Sequence, residues 1–271
     1  MPSVRRVQIS PRQPHKDRVK DAFSAAGDYD SRAIVQRRAA ERLAARIGAL
    51  DLPVHANICE LGCGTGFLGL ALGRRLPGAT WLATDLSPEM VGRAKEGLGG
   101  DRRFQFAVVD AGRPEPLGAA APFDLICSTF AAQWFSDLER VLAGLVRFLK
   151  PKGRILITTL ADGTFAEWRR AHAELGLSPG APTFPTAETL RRLEPAGLPA
   201  KLDICHDTER LASGKDFLSA LRSVGATAPQ QDHVALRPGE IRQVLRRFEM
   251  LGGVITYEIA TLEFQASRRS R

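Results

Sequence analysis

Cysteine and histidine are scarce in this chain of 271 residues, at four and five. Cys59 and Cys63 have C-x3-C spacing but no second ligand pair nearby, and Cys127 and Cys205 stand alone. His15, His55, His172, His206 and His233 fall in no H-x-x-x-H or comparable pattern. The chain therefore does not read as a zinc protein: no metal is assigned, and the thiols read as those of a reducing cytoplasm. No apolar run reaches about eighteen residues, which argues against a membrane span. Nothing apolar follows Met1-Pro2-Ser3-Val4-Arg5-Arg6, so the start does not read as a secretory signal. Neither Tyr29 nor Tyr257 has a lysine four residues on, so the proton-donating pair of one large dehydrogenase class is missing. Internal repeats and long low-complexity stretches are absent too.

What is present is ordinary for a globular protein, with 44% hydrophobic and 25% charged residues. The length fits one large α/β domain with a small appended cap. Charge is the exception: the net value is +8, six of the first twenty residues are Lys or Arg, and the chain ends Arg268-Arg269-Ser270-Arg271. Such a balance suggests an acidic partner, or simply solvated tails.

The chain is organised around Asn57-Ile58-Cys59-Glu60-Leu61-Gly62-Cys63-Gly64-Thr65-Gly66. An apolar strand ends on a carboxylate, breaks into alternating glycines and passes into a helix beginning near Phe67. Glycine at 62 and 64 leaves no Cβ between backbone and ligand. A second apolar run ends at Asp85, nineteen residues after Gly66, where an acid can hold the two hydroxyls of a ribose. Two cofactor patterns overlap here. G-x-G-x-x-G is present at Gly64, Gly66 and Gly69; Glu-x-Gly-x-Gly-x-Gly is present at Glu60, Gly62, Gly64 and Gly66, and it resembles motif I of S-adenosylmethionine-dependent methyltransferases. The register favours the second, because the turn opens at Gly62 directly after the strand while Gly69 falls a turn into the helix. After Asp85 come Leu86 and Met90, the latter able to cover an adenine face. Asp110, followed by Ala111, closes a third apolar strand. Three acids ending three successive strands are more specific than any glycine pattern.

Strands are expected near 56–61, 79–84, 104–109, 123–129 and 154–160, with helices near 65–76, 88–97, 137–149 and 164–175. This alternation predicts a doubly wound, mostly parallel α/β sheet of seven strands, Rossmann-like, with ligands at the carboxyl ends of the strands. Lys150-Pro151-Lys152-Gly153 reads as the stop of the helix before the fifth strand. Upstream, helices are expected over Asp17–Ala26 and Ser31–Ile47, the second capped by Asp30 or Ser31. Downstream, a helix over Thr186–Glu194 and a strand over Lys201–Arg210 precede two helices, Lys215–Val224 and Pro238–Leu251, inserted before a closing strand. The domain reading is a basic lead (1–16), helices closing over the cofactor (17–50), a cofactor-binding core (51–210), a helical cap (211–252), a final core strand (253–265) and a basic tail (266–271).

Three further segments narrow the acceptor: Ala22-Phe23-Ser24-Ala25-Ala26-Gly27-Asp28-Tyr29-Asp30 with Gln36, Ser128-Thr129-Phe130-Ala131-Ala132-Gln133-Trp134, and Leu221-Arg222-Ser223-Val224-Gly225-Ala226-Thr227. With Glu60–Gly66, Asp85–Met90 and Leu156-Ile157-Thr158-Thr159-Leu160, they resemble the malonyl-acyl-carrier-protein O-methyltransferases of biotin synthesis, over residues 20 to 265. The long basic lead and Arg222-Ser223, where relatives often carry Lys-Gly, depart from the pattern. The resemblance implies methyl transfer from S-adenosylmethionine to the free carboxylate of malonyl on acyl carrier protein, in the cytoplasm. A carboxylate is already ionised at neutral pH, so no general base is needed. The implied cofactor residues are Tyr29, Gln36, Glu60, Gly62, Cys63, Gly64, Gly66, Asp85, Leu86, Met90, Asp110, Ala111 and Ser128. Gln133, Trp134 and Arg222 are implied at the acceptor, and the i, i+4 pair Arg242 and Arg246 could dock an acidic helix. Acyl carrier protein is acidic, which suits the charge. Another small acceptor, a quinone precursor or a free carboxylic acid, is the alternative on the same scaffold. Nucleic acid is disfavoured, because no Asn/Asp-Pro-Pro-aromatic motif follows the fourth strand and no RNA-binding module is appended.

Overall fold

The structure is a computed structural model that describes residues 30, 33–135, 137–223 and 236–267, with the backbone alone for 220–223. The helix expected over Asp17–Ala26, together with Tyr29, Gly225 and Ala226, lies outside the described residues. In chain order the elements are α1 (Ile34–Gly48), β1 (Asn57–Leu61), α2 (Phe67–Gly73), β2 (Thr80–Asp85), α3 (Pro88–Leu98), β3 (Phe104–Val108), β4 (Phe123–Thr129), α4 (Leu138–Val146), β5 (Leu149–Leu160), α5 (Ala166–Ala173), α6 (Ala187–Arg191), β6 (Lys201–Arg210), α7 (Gly214–Ser223), α8 (Pro238–Met250) and β7 (Val254–Gln265).

The strands form one sheet in the order β3-β2-β1-β4-β5-β7-β6. The first five are parallel, and β7 runs antiparallel to both β5 and β6. Central strands read as continuous apolar runs because both faces are covered. Ile58, Cys59, Leu61, Leu125, Ile126 and Cys127 are all buried. On one face α1, α2 and the end of α3 bring Leu43, Ile47, Leu68, Leu72 and Leu98 onto Trp81 and Phe104. On the other, α4 brings Leu138, Val141, Leu142 and Leu145 onto Ile126, Ile155 and Phe264.

Local chemistry sets the helix ends. Ser87 Oγ accepts the Met90 N–H at 3.2 Å, Pro88 follows in the first turn, and left-handed Gly99 closes α3. Two expectations are corrected. The helix expected from Ser31 starts at Ile34, with Ala33 as an N-cap that offers no side chain. Its first bond, Arg37 N–H to Ala33 O, closes two residues beyond the polar candidates. Lys150-Pro151-Lys152-Gly153 is no helix stop, since α4 ends at Val146 and these residues lie inside β5. They form a bulge: the register jumps from Phe123 opposite Leu149 to Leu125 opposite Arg154. Glycine is required at 153, because a Cβ there would stand 2.8 Å from Lys150 O and 3.0 Å from Phe123 O.

The insertion between β6 and β7 has its own apolar centre. Phe217 of α7 and Val244, Leu245 and Phe248 of α8 pack with Phe165 and Trp168, so α5 joins the inserted helices. Trp168 and Phe217 ring centroids are 4.9 Å apart. Burial of such side chains contributes roughly 1.5–3 kcal/mol each. The pairing of Leu160 with Ile259, and of Arg210 with Val254, carries the β6–β7 ribbon past the end of β5. The insertion therefore stands at the carboxyl end of the parallel strands.

Candidate active site

The carboxyl ends of β1, β2 and β3 lie side by side, with Glu60 opposite Ala83 and Asp85 opposite Val108. Gly62, Gly64 and Gly66 all adopt positive φ (65°, 54° and 92°), a region glycine enters without steric cost. The Cys63 N–H donates to Thr84 O at 2.8 Å, pinning the loop to β2, and the buried Cys63 side chain packs with Ala83 and Ala94. A Cβ on Gly64 would meet nothing within 4 Å, so this backbone faces open space. Gly62 differs, because its Cβ would fall 2.3 Å from the Ala131 Cβ. Gly69 serves packing, its Cβ position being 3.2 Å from both Leu98 and Phe104.

Asp85 ties the loop to the next helix. Its Oδ2 accepts the Gly64 N–H and its Oδ1 the Ser87 N–H, both at 2.9 Å. The Leu86 N–H also faces this carboxylate, and the lone pairs left over could accept neighbouring hydroxyls. Burial pushes the Asp85 carboxyl above the usual carboxylate range, against the pull of those backbone N–H groups. Glu60 lies deeper, 2% exposed, and its Oε2 takes no hydrogen bond from the described residues. Burial, reinforced by the charge of Asp85, pushes it up to about 8. Two acids with raised pKa and no cation beside them among the described residues make a site that favours a positively charged ligand. Asp110, two residues past β3, is half-buried; its Oδ1 accepts the Gly112 N–H at 2.8 Å across Ala111.

The other expected residues divide. Leu86 is half-exposed beside Asp85, whereas Met90 is only 1% exposed. Met90 stands in the first turn of α3 and turns inward, so the structure gives it no face open to an adenine. Ser128 is fully buried, and its Oγ donates to Leu61 O at 2.8 Å, holding β4 to β1. Gln36 is half-buried next to Arg37, whose guanidinium lies 4.9 Å from the Phe67 ring at the start of α2. That contact brings the start of α1 to the glycine loop.

Gln133 and Trp134 occupy a short 3-10 turn, Ala132–Trp134, after β4. The Gln133 amide donates to Phe130 O at 2.8 Å, while its Oε1 is buried without a partner. Ala131 against Gly62 places this turn beside the loop. Arg222 lies on α7, away from the β4 segment in sequence and in the inserted helical body. Sequence reasoning missed one wall of the region, where Phe130, Phe184, Leu160, Tyr257 and Val35 cluster. Phe130 and Leu160 fall inside the quoted segments, but nothing local links them to Val35, Phe184 and Tyr257; strand pairing and left-handed Phe130 (φ 54°) bring them together.

A family described as methyltransferase domain matches residues 59–155, the span from the glycine strand to the middle of β5. The chain is 40% identical over 261 residues to the biotin biosynthesis bifunctional protein BioCD of Bordetella avium, covering 96% of this chain and 54% of that protein. It thus spans about half the length of that relative. It is 37% identical to malonyl-acyl-carrier-protein O-methyltransferase of Magnetococcus marinus, over 89% of this chain and 90% of that one. Among solved structures it is similar to YcgJ from Bacillus subtilis (TM-score 0.58, 15% identity, 84% and 98% of the two chains). It is likewise similar to magnesium protoporphyrin IX methyltransferase from Synechocystis, a structure with bound S-adenosylhomocysteine (TM-score 0.56, 18% identity, 93% and 100%). At such identities these structures bear on the fold alone, which is that of class I methyltransferases.

Proposed function

The chain belongs to the malonyl-acyl-carrier-protein O-methyltransferase family, and from that premise we propose that it methylates the free carboxylate of a malonyl thioester carried on acyl carrier protein, in the cytoplasm. The observation that carries this reading is the pair of acids under an open glycine loop, buried Glu60 and half-buried Asp85, neither with a cation beside it among the described residues. Their donor set fits S-adenosylmethionine, which has a ribose, an ammonium and a sulfonium. When bound, this cofactor supplies an activated methyl group.

The roles of the chain's own residues are part of the proposal, and those of Tyr29 and Arg222 rest on the resemblance alone. Asp85 holds the ribose hydroxyls with its remaining acceptor sites, and Gly64 lets the backbone approach. Glu60, protonated near neutral pH in the free protein, loses that proton to water beneath the loop as the cationic methionine end binds. Asp110 and Ala111 serve the adenine, with Leu86 covering it. Gln36 and Tyr29 close the site from the amino-terminal side. Gln133, Trp134 and Arg222 meet the acceptor. The acceptor carboxylate is ionised at neutral pH, so no residue has to take its proton. The protein acts by aligning the two reactants and excluding water. The resemblance assigns Arg222 to the malonyl charge as a loose contact, because a bidentate pair would hold the carboxylate back from reaction.

Labelled-methyl transfer to malonyl-acyl carrier protein, with acetyl-acyl carrier protein as control, tests the proposal. Label is expected in the malonyl form alone. Equal labelling of both, or of neither, excludes it.

A further inference from the structure

Two helices carry arginines at fourfold spacing, and the structure treats them differently. On α1, Arg38, Arg42 and Arg46 all turn to the sheet edge and pair with acids of β6 and β7. On α8, Arg242 and Arg246 are exposed and join no ion pair among the described residues. The acids nearest them are engaged elsewhere. Glu240 accepts the Arg237 N–H, Glu249 accepts the Gly214 N–H, and Glu174 takes Arg247 and Arg170. One turn further along the same line of α8 stands Met250, 76% exposed. Arg242, Arg246 and Met250 therefore form one outward stripe at i, i+4 and i+8. The opposite face of α8, with Val244, Leu245 and Phe248, is buried against α5 and α7, which fixes the stripe in place.

Position strengthens the case. The inserted helices stand at the carboxyl end of the parallel strands, the end that holds Glu60, Asp85 and Asp110. A carrier seated there needs only its flexible arm to reach the site. Arg74, after α2, and Arg102, before β3, are exposed at the amino end of the sheet, whereas Arg113, past β3, and Lys215, on α7, are exposed at its carboxyl end.

We infer that the stripe Arg242–Arg246–Met250 is the docking surface for an acidic helix of the carrier protein, the two guanidinium groups meeting its carboxylates and the methionine covering an apolar residue between them. This rests on the function proposed above and names the partner-binding part of it. Two cations complement such a helix, and an exposed apolar side chain beside them suits a small interface with a polar rim.

The test is steady-state methylation of malonyl-acyl carrier protein by the full chain. In Arg242→Glu/Arg246→Glu, KM for the carrier should rise about tenfold, with kcat and S-adenosylhomocysteine affinity kept within about twofold. Arg242→Lys/Arg246→Lys should restore most of the loss, and added salt should raise the wild-type KM more than that of the reversed variant. Arg74→Glu/Arg102→Glu makes the same change of net charge at the far end and should leave KM unaltered. An unchanged KM in the α8 reversal, or an equal rise in the far-end control, overturns the docking site. A change of oligomeric state in the α8 variant would overturn it too, assigning the stripe to a second copy. Wild-type protein that methylates no carrier-bound malonyl refutes the function itself, and that result is read before any variant is made.

Discussion

Two sets of acids lie on the α1–α2 face of this sheet, one at its β6–β7 edge and one at the ends of β1 and β2, and they are held there for different reasons. At the far edge Asp207, 5% exposed, receives Arg38 at 3.0 Å and Arg42 at 2.7 Å. Glu263, 7% exposed, lies between Arg46 and Arg154. At the strand ends Glu60 is buried more deeply and Asp85 stands beside it, yet neither meets a cation among the described residues. A buried carboxylate without a counter-ion is costly. The edge acids are compensated from within the fold and fasten α1 to β6 and β7. The acids at the strand ends await a charge from outside. Glu60 is at least as buried as the edge acids and Asp85 half-buried; only this second, uncompensated set is expected to respond to ligand.

The sharpest way to break that comparison is Asp85→Ala. It removes the acceptor for the Gly64 and Ser87 N–H groups together with the proposed ribose contact, so S-adenosylhomocysteine affinity measured by calorimetry should fall more than about a hundredfold. Affinity kept near wild type would mean that Asp85 shapes the loop and touches no ligand. Glu60 gives the next effect. An unfolded glutamate ionises near 4.5, whereas Glu60 in the folded protein holds its proton to about 8. Between those values the folded state binds a proton that the unfolded state has lost. Stability of the ligand-free protein should therefore fall as pH rises from 5 to 8, by at most about 1.4 kcal/mol per pH unit from this residue. Glu60→Gln removes that slope. Urea unfolding across this range should give a wild-type minus variant difference that drifts steadily in favour of the variant. A flat difference would mean that Glu60 is ionised with its charge already balanced, and the contrast with Asp207 would collapse.

How much of this was legible in the sequence depends on the range of the interaction. The parallel core, the glycine turn and the acids at 60, 85 and 110 announce themselves locally, through apolar runs and the residues that end them. The packing role of Gly69 was legible from its register, and the position of its missing Cβ against Leu98 and Phe104 agrees. Met90 was not, because spacing alone does not say which way the first turn of α3 faces. The bulge at Lys150–Gly153 misled for a related reason: a Pro-x-Gly turn looks the same whether it ends a helix or kinks a strand, and the approach of Phe123 O decides. The arginines of α1 and α8 carry the same spacing. Only the fold, which sets β6 and β7 beside one helix and leaves the other facing outward, tells them apart.

The edge acids should give the smallest effects, graded by burial. Asp207→Asn keeps the volume and removes the charge, and the two arginines it leaves are each about 40% exposed. They can be rehydrated, so the loss should be about 1 kcal/mol, less than a fully buried pair would show. Asp203 shares Arg46 with Glu263 but is 66% exposed, and Asp203→Asn should cost less than about 0.5 kcal/mol. Both are read by denaturant unfolding at constant m-value, with S-adenosylhomocysteine affinity measured alongside. The expected pattern is lost stability with unchanged affinity, the reverse of Asp85→Ala. If Asp207→Asn instead weakened the ligand as strongly as it weakened the fold, α1 would be transmitting the edge to the glycine loop through Arg37 and Phe67, and the two sets of acids would have to be treated as one coupled network.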